Sequence, residues 1–285
     1  MNKIVVCGDI HGNPMELSFR RKPALRELDE SDVVVFCGDW GLVFGGWNKK
    51  EEAYNLNWLN NQKYKSVVIF GNHDDYLWAE SLPKVEAFGT TMKACVHEGI
   101  TYENIFIVDN WAIADICGSH CLLIAHAQSH DIWPCVGTES GYTVLNPETE
   151  DWLIRKWRRK RLFYRVLNKS WWPQEKLDVQ ALEDFLVENN AYEQHFDYIF
   201  THDCLGMYTQ YGLGMESSNI QMTEQESYFN VLGKYLNFDI WFHGHMHRDL
   251  FYPGSLLKSV KISGTVICLY DNLFSLGKNK NMEVV

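Results

Sequence analysis

The chain is short of positive charge. Across 285 residues, 26 lysines and arginines face 37 acidic residues, a net charge of −11. Such a surface repels phosphate backbones and anionic headgroups, which argues against nonspecific binding of nucleic acid or membrane by the molecule as a whole. No apolar run reaches the roughly 18 residues that would span a bilayer. The eight cysteines include no Cys-x-x-Cys pair, so no thiolate metal motif is present. Seven prolines and 20 glycines exclude a collagen-like or low-complexity chain, and eleven tryptophans argue against disorder. The opening KIVVCG reads as a buried strand rather than the core of a leader peptide. The expectation is a cytoplasmic protein whose cysteines are reduced, small core residues.

What positive charge there is clusters. Residues 155–169 carry Arg155, Lys156, Arg158, Arg159, Lys160, Arg161, Arg165 and Lys169 and no acidic side chain. A local inversion of this kind can steer a phosphorylated substrate or simply be a solvated helix face. Trp157, Phe163 and Tyr164 lie among these cations and could stack on a base, or face a core.

The first half alternates strand, polar loop and helix. Apolar runs at 3–8, 32–37 and 66–70 are read as buried strands, with helices over 14–30 (broken near Pro23) and 49–63. Short strands follow at 92–97, 104–108, 111–117 and 120–125, with a hairpin turn at Gly118-Ser119. Residues 127–175 are too long and irregular for a connection and read as a cap-like insertion in a single domain spanning 1–285. A helix over 177–194, a strand at 197–202, a helix near 224–236, a strand at 238–243 and closing strands near 258–262 and 265–270 complete the chain. This order fits an α/β protein with two mixed sheets face to face and helices outside, a four-layer α/β/β/α sandwich.

Five of these strands end in polar clusters: Asp9 and His11; Asp39; Asn72, His73 and Asp74; His202; His245 and His247. In extended backbone, residues i and i+2 point to one side, so Asp-x-His and His-x-His can aim both side chains at one point. Carboxylate, imidazole and amide oxygen form a mixed donor set that suits manganese, iron, zinc or nickel better than calcium. Each cluster alone passes for a turn or a strand-end cap. Five in register do not arise by chance, and two histidines after a buried strand are costly unless something binds them.

GDIHG, GD, GNHD, a later Thr-His and GHMH resemble the signature of the calcineurin-like metallophosphoesterase superfamily, spread from Asp9 to His247. Ser129-His130-Asp131, with Trp171-Trp172-Pro173 and the acidic helix after it, is similar to a bacterial and phage-associated branch of uncharacterised metallophosphoesterases. The resemblance implies two divalent metal ions, manganese first among them. One would be held by Asp9, His11, Asp39 and His247, the other by Asp39, Asn72, His202 and His245, with Asp39 bridging. Two cations about 3.5–4 Å apart polarise a bridging water to hydroxide, which attacks phosphorus in line. His73 resembles the family's histidine beside the leaving group; as imidazolium it would protonate the departing alkoxide, with Asp74 orienting it and keeping it charged.

One departure is informative. Where many relatives read GDxxDRG, this chain reads GDWGLVFGGW and lacks the arginine that clamps phosphate in the protein serine/threonine phosphatases. The substrate expected is a phosphorylated small molecule or a nucleotide, as monoester or diester. Ser129, His130 and Asp131 near the rim, and Arg158, Arg159 and Arg161 in the basic block, are the candidate substrate contacts. A nuclease using the basic block is the alternative, and a non-catalytic metal-binding scaffold a third reading. No membrane partner is expected.

Overall fold

The computed structural model describes residues 2–44, 48–212, 222–252, 262, 264–277 and 282–284. The strands are β1 (Ile4–Cys7), β2 (Val33–Cys37), β3 (Lys65–Ile69), β4 (Lys84–Ala87), β5 (Thr90–His97), β6 (Ile100–Ile107), β7 (Trp111–Ile116), β8 (Ser119–Ile124), β9 (Val144–Leu145), β10 (Arg165–Val166), β11 (His195–Thr201), β12 (Asn237–His243), β13 (Leu250–Tyr252), β14 (Thr265–Cys268), β15 (Phe274–Leu276) and β16 (Met282–Val284). The α-helices are α1 (Lys49–Asn60), α2 (Tyr76–Glu80), α3 (Asp151–Lys160), α4 (Val179–Glu188), α5 (Gly206–Gly212) and α6 (Glu224–Tyr235).

Two large mixed sheets result. The first runs β16-β15-β1-β2-β3-β6-β5-β4, with β1, β2, β3 and β6 parallel. The second runs β13-β14-β12-β11-β8-β7, with β14, β12, β11 and β8 parallel and antiparallel strands at both edges. The parallel strands are buried on both faces, which is why VVVFC and IVVC are unbroken apolar runs. In the second sheet, alternate side chains serve different cores. Cys121, Leu123, Tyr198, Phe200, Phe242 and Ile267 join the first sheet's valines in one cluster. Leu122, Ile124, Ile199, Trp241 and Val266 meet Leu182 and Leu186 of α4 and Phe229 and Leu232 of α6 on the other face. Leu56 and Leu59 of α1 belong to the first cluster. The fold is thus mixed α/β, two sheets with helices outside, as the element order implied.

Several local expectations change. The leucines of 14–30 are buried, but the segment forms two 3₁₀ turns, Pro14–Leu17 and Pro23–Glu27, because a proline opens each piece and breaks any longer helix. The hairpin turn falls one residue earlier than expected: Ile116 pairs with Ser119, and Cys117 and Gly118 form the turn, both at positive φ. Within 127–175 the chain forms α3 and the parallel pair β9–β10 around a small core of Leu145, Leu153, Ile154 and Val166. Trp157 and Tyr164 pack on that core, and Trp172 is fully buried. Of the strand expected near 258–262, residues 258–261 lie outside the described residues; the one near 265–270 is β14. Cysteines 7, 37, 95, 121, 204 and 268 are buried free thiols, and burial pushes Cys7 up to about 12, far from reactive thiolate. Among the described residues, no helix is long and apolar enough to cross a membrane.

For function, the direction of the strands matters most. β1, β2 and β3 in one sheet and β8, β11 and β12 in the other all run towards the same rim, where their following loops interlock. His202 Nδ1 hydrogen-bonds the Cys37 carbonyl (2.7 Å), and the His245 amide donates to the Asp9 carboxylate (3.1 Å), each joining one sheet to the other.

Candidate metal centre

All the strand-end residues anticipated as metal ligands converge at this rim. Asp9, His11, Asp39 and His247 place one donor atom each within 4.8 Å of one another, and Asp39, His202 and His245 form a second such group. Asp39 belongs to both. Asn72 completes the second group, its Oδ1 lying 3.3 Å from His202 Nε2. The convergence is not produced by extended backbone. His11, Asp39, His245 and His247 all sit at positive φ, between 45° and 70°. The side chains turn inward from tight bends just past the strands, a conformation costly for non-glycine residues and concentrated at functional sites.

Glycines make room for those bends. Gly38 has φ +84°, and a Cβ there would lie 2.1 Å from the His202 ring. At Gly71 a Cβ would lie 2.3 Å from the same ring and 2.4 Å from Asp39 Oδ1. Backbone and ligands therefore touch directly, and the donor set is held from behind.

The hydrogen bonds settle which atoms remain free. His202 is fully buried; donating Nδ1–H to the Cys37 carbonyl leaves Nε2 facing Asp39 Oδ1 (3.1 Å) and Asn72. Asp39 Oδ1 also accepts from the His73 amide (2.8 Å). Asp39 Oδ2 and His245 Nε2 are buried and have no hydrogen-bond partner. His11 and His247 bring their Nε2 atoms to 2.9 Å, and His247 Nε2 lies 3.2 Å from Asp9 Oδ2. Buried, unpaired, mixed nitrogen and oxygen donors around a shared carboxylate fit divalent transition-metal cations.

Charge is arranged accordingly. Burial disfavours a charge on Asp39, but His202, through its charge and its hydrogen bond, leads the groups that outweigh it and holds Asp39 below the usual carboxylate range. Burial, joined by His130 and His202, pushes His245 well below the usual histidine range, so it presents a neutral ring.

The other anticipated residues divide. Ser129, His130 and Asp131 are at the rim. Ser129 Oγ accepts from Asn72 Nδ2 (3.2 Å) and donates to the buried Glu175 (2.6 Å), and the His130 ring lies 4.8 Å from that of His245. Asp74 has other work than orienting His73. Its carboxylate oxygens accept the amides of Gly41 and Gly71, both at 2.7 Å, tying the loops after β2 and β3 together. Burial and the nearby Asp39 charge raise its pKa above the usual range. Arg158 and Arg159 are exposed in the last turn of α3 and Arg161 closes it; Arg158 Nε reaches the Tyr164 hydroxyl (3.4 Å).

A described cation that does reach His73 is Arg165, at the start of β10, which the sequence counted among the basic residues without assigning it a role. Its Nη2 lies 3.2 Å from His73 Nε2 and 2.5 Å from Asp131 Oδ2. A guanidinium only donates, so His73 Nε2 is an acceptor and its ring is neutral. Burial, with Arg165 and His11 adding to it against Asp39, pushes His73 down to about 4. The imidazolium expected at this position is therefore not what the surroundings favour. Beside it, a cleft of about 100 Å³ is lined by His11, Gly41, Phe44 and His73. Beyond His11 a second, of about 270 Å³, includes Asp9, Arg21, Lys22 and Tyr270.

No curated protein matches the chain closely enough to count as a relative. Among solved structures it is similar to a phosphopantetheinyl hydrolase from Mycobacterium tuberculosis, with 12% identity and a TM-score of 0.39 over 94% of this chain and 89% of that one. It is also similar to the protein TT1561 of Thermus thermophilus, with 10% identity and a TM-score of 0.43 over 99% and 97%. A third is an archaeal phosphodiesterase, with 10% identity and a TM-score of 0.36 over 99% and 98%. The model of one family, described as calcineurin-like phosphoesterase, matches residues 2–249, from before β1 to just past His247. The chain belongs to the calcineurin-like phosphoesterase family and is a metal-dependent phosphoester hydrolase.

Proposed function

We propose that the protein hydrolyses phosphomonoester or phosphodiester bonds of a small phosphorylated molecule or nucleotide, using two divalent cations, manganese before iron, zinc or nickel. Asp9, His11, Asp39 and His247 would hold one, and Asp39, Asn72, His202 and His245 the other. When bound, such a pair supplies Lewis acidity and an activated water. The observation that carries this reading is the Asp39 carboxylate, common to both donor groups, with Oδ2 buried and unpaired.

The chain's own residues do the rest. The Cys37 carbonyl fixes His202 as the Nδ1–H tautomer, so Nε2 is the donor atom. Asp74 binds the loops that carry Asp39 and Asn72 into one unit. Neutral His73, packed 5.0 Å from the His11 ring and backed by Phe44 at 5.9 Å, offers its remaining N–H to a phosphoryl or leaving-group oxygen. The segment 127–175 is read as a cap over this rim, attached through Ser129.

A second reading, a nucleic-acid-processing phosphodiesterase, draws on the exposed basic end of α3. The complete donor set speaks against a scaffold without activity. The test is hydrolysis of an aryl phosphate and its bis-aryl diester by the purified protein supplied in turn with Mn, Fe, Zn and Ni. Turnover of at least one ester that chelator abolishes supports the reading. No turnover of either with any cation contradicts it.

A further inference from the structure

We propose that Arg165 is the residue that grips the substrate's phosphoryl oxygens, that Asp131 is the internal anion that occupies its guanidinium until a phosphoryl group displaces it, and that the pair suits a phosphomonoester; this rests on the phosphoesterase reading above. The chain lacks an arginine after β2, so the phosphoryl charge needs another partner. Four of the described arginines differ sharply in placement. Arg21, beside the larger cleft, is 57% exposed and paired with Glu16. Arg158 and Arg159 lie exposed in the last turn of α3. Arg165 is only 12% exposed and touches His73, whose amide binds the shared Asp39 carboxylate.

The guanidinium is held as a preset fork. Nε and Nη2 face Asp131 Oδ1 and Oδ2 at 3.3 and 2.5 Å, Nη2 also donates to His73 Nε2, and Nη1 donates to the Ser170 carbonyl at 3.4 Å. The Phe163 ring lies 5.7 Å from Cζ. Of the five N–H donors of an arginine, one on Nη1 remains. Carboxylate and phosphate present the same paired-oxygen edge to a guanidinium. Asp131, at 39% exposure, can exchange its pairing for water when a phosphoryl group arrives, whereas His73 and Ser170 keep the fork in position. Asp131 and Arg165 both lie in the 127–175 segment, which Ser129 ties to Asn72, so the pair reaches the rim assembled. A monoester keeps a third non-ester oxygen after two have been engaged elsewhere in the site, and a diester does not. Arg165 therefore favours the monoester.

The experiment compares the full-length wild-type protein with Arg165→Ala, Arg165→Lys and Asp131→Asn, each loaded with manganese. It measures metal content, affinity for inorganic phosphate by calorimetry, and kinetics on an aryl phosphate and its bis-aryl diester. Charge-assisted hydrogen bonds of this kind correspond to a loss of roughly tenfold to a hundredfold when removed. Arg165→Ala should weaken phosphate by that factor and raise KM for the monoester more than for the diester. Metal content should be unchanged, added guanidinium should restore part of the loss, and Arg165→Lys should fall between. Asp131→Asn should tighten phosphate, the opposite sign. If Arg165→Ala lowers only the melting temperature and leaves phosphate affinity and KM intact, Arg165 is a strut and the proposal is wrong. Equal losses on both esters overturn the monoester assignment, and weaker phosphate binding by Asp131→Asn overturns the role of Asp131. A wild-type protein inactive with every cation contradicts the phosphoesterase reading instead, while calorimetry still reports on Arg165.

Discussion

Adding one methyl group at Gly71 tests how tightly the backbone holds the donor set. The Cβ of Gly71→Ala would fall 2.3 Å from His202 Cδ2 and 2.4 Å from Asp39 Oδ1, whereas ordinary contact begins at 3.4 Å. Neither neighbour has room to retreat. His202 is fully buried and pinned by its 2.7 Å bond to the Cys37 carbonyl, and Asp39 is 1% exposed and bound by the His73 amide. Relief therefore requires a displacement of about 1 Å within the donor set, and a misplacement of that size costs on the order of a hundredfold in rate. The substitution changes no charge and removes no hydrogen-bonding group. Gly71→Ala should keep its fold by circular dichroism, bind less than two equivalents of metal by plasma mass spectrometry, and lose about two orders of magnitude in kcat/KM. Wild-type metal content with kcat/KM within threefold of wild type would refute the reasoning, because the ligands would then not be in contact with the backbone at Gly71.

Three further outcomes follow from the same geometry. Asp74→Ala leaves the buried amide of Gly71 and the part-buried amide of Gly41 unpaired, at about 1–3 kcal/mol for the first and less for the second, so denaturant unfolding should show a loss of about 1–3 kcal/mol or slightly more while the dependence of rate on leaving-group pKa stays as in wild type. In the metal-free protein, burial works against a charge on His202, but Asp39 and Asp9 outweigh it and hold its pKa at about 10, above the ordinary 6.5. That stabilisation is full below pH 6.5 and is lost as pH rises to 10, so metal-free melting temperature should fall across that window, and metal binding should release protons, seen as a buffer-dependent calorimetric heat. Replacing Arg158, Arg159 and Arg161 together with Ser should leave hydrolysis of a small aryl phosphate unchanged at any ionic strength; a selective rise in KM for an oligonucleotide at low salt would favour the nucleic-acid reading.

Four ligand positions were legible because each follows a largely apolar strand closed by a glycine: Asp9 after IVVCG, Asp39 after VVVFCG, Asn72 after VVIFG, His245 after IWFHG; His202, after DYIFT, has no flanking glycine and was legible only beside the others. What the spacing did not convey is how they point inward. The extended-strand rule placed Asp9 and His11 on one face, whereas His11, His245 and His247 turn in from left-handed backbone. Asp74 looked like a partner for its neighbour His73, yet its bonds reach Gly41, 33 residues away. Arg165 was hidden for a related reason. It stands 92 residues from His73, in a two-residue strand with no periodicity of its own, beside a more conspicuous run of arginines. The 14–30 segment misled because buried leucines at helix-like spacing outweighed the two prolines that decide its shape. Strand-end chemistry is local and survives in sequence; contacts between distant loops do not.

The central claim is that two cations share the Asp39 carboxylate. Metal content and turnover of wild type and Asp39→Ala, measured side by side on the same manganese-loaded preparations, test it most directly. The account predicts two equivalents per chain in the wild type, fewer than two in Asp39→Ala, and no detectable turnover by that variant. Two equivalents and near-full turnover in Asp39→Ala would contradict it.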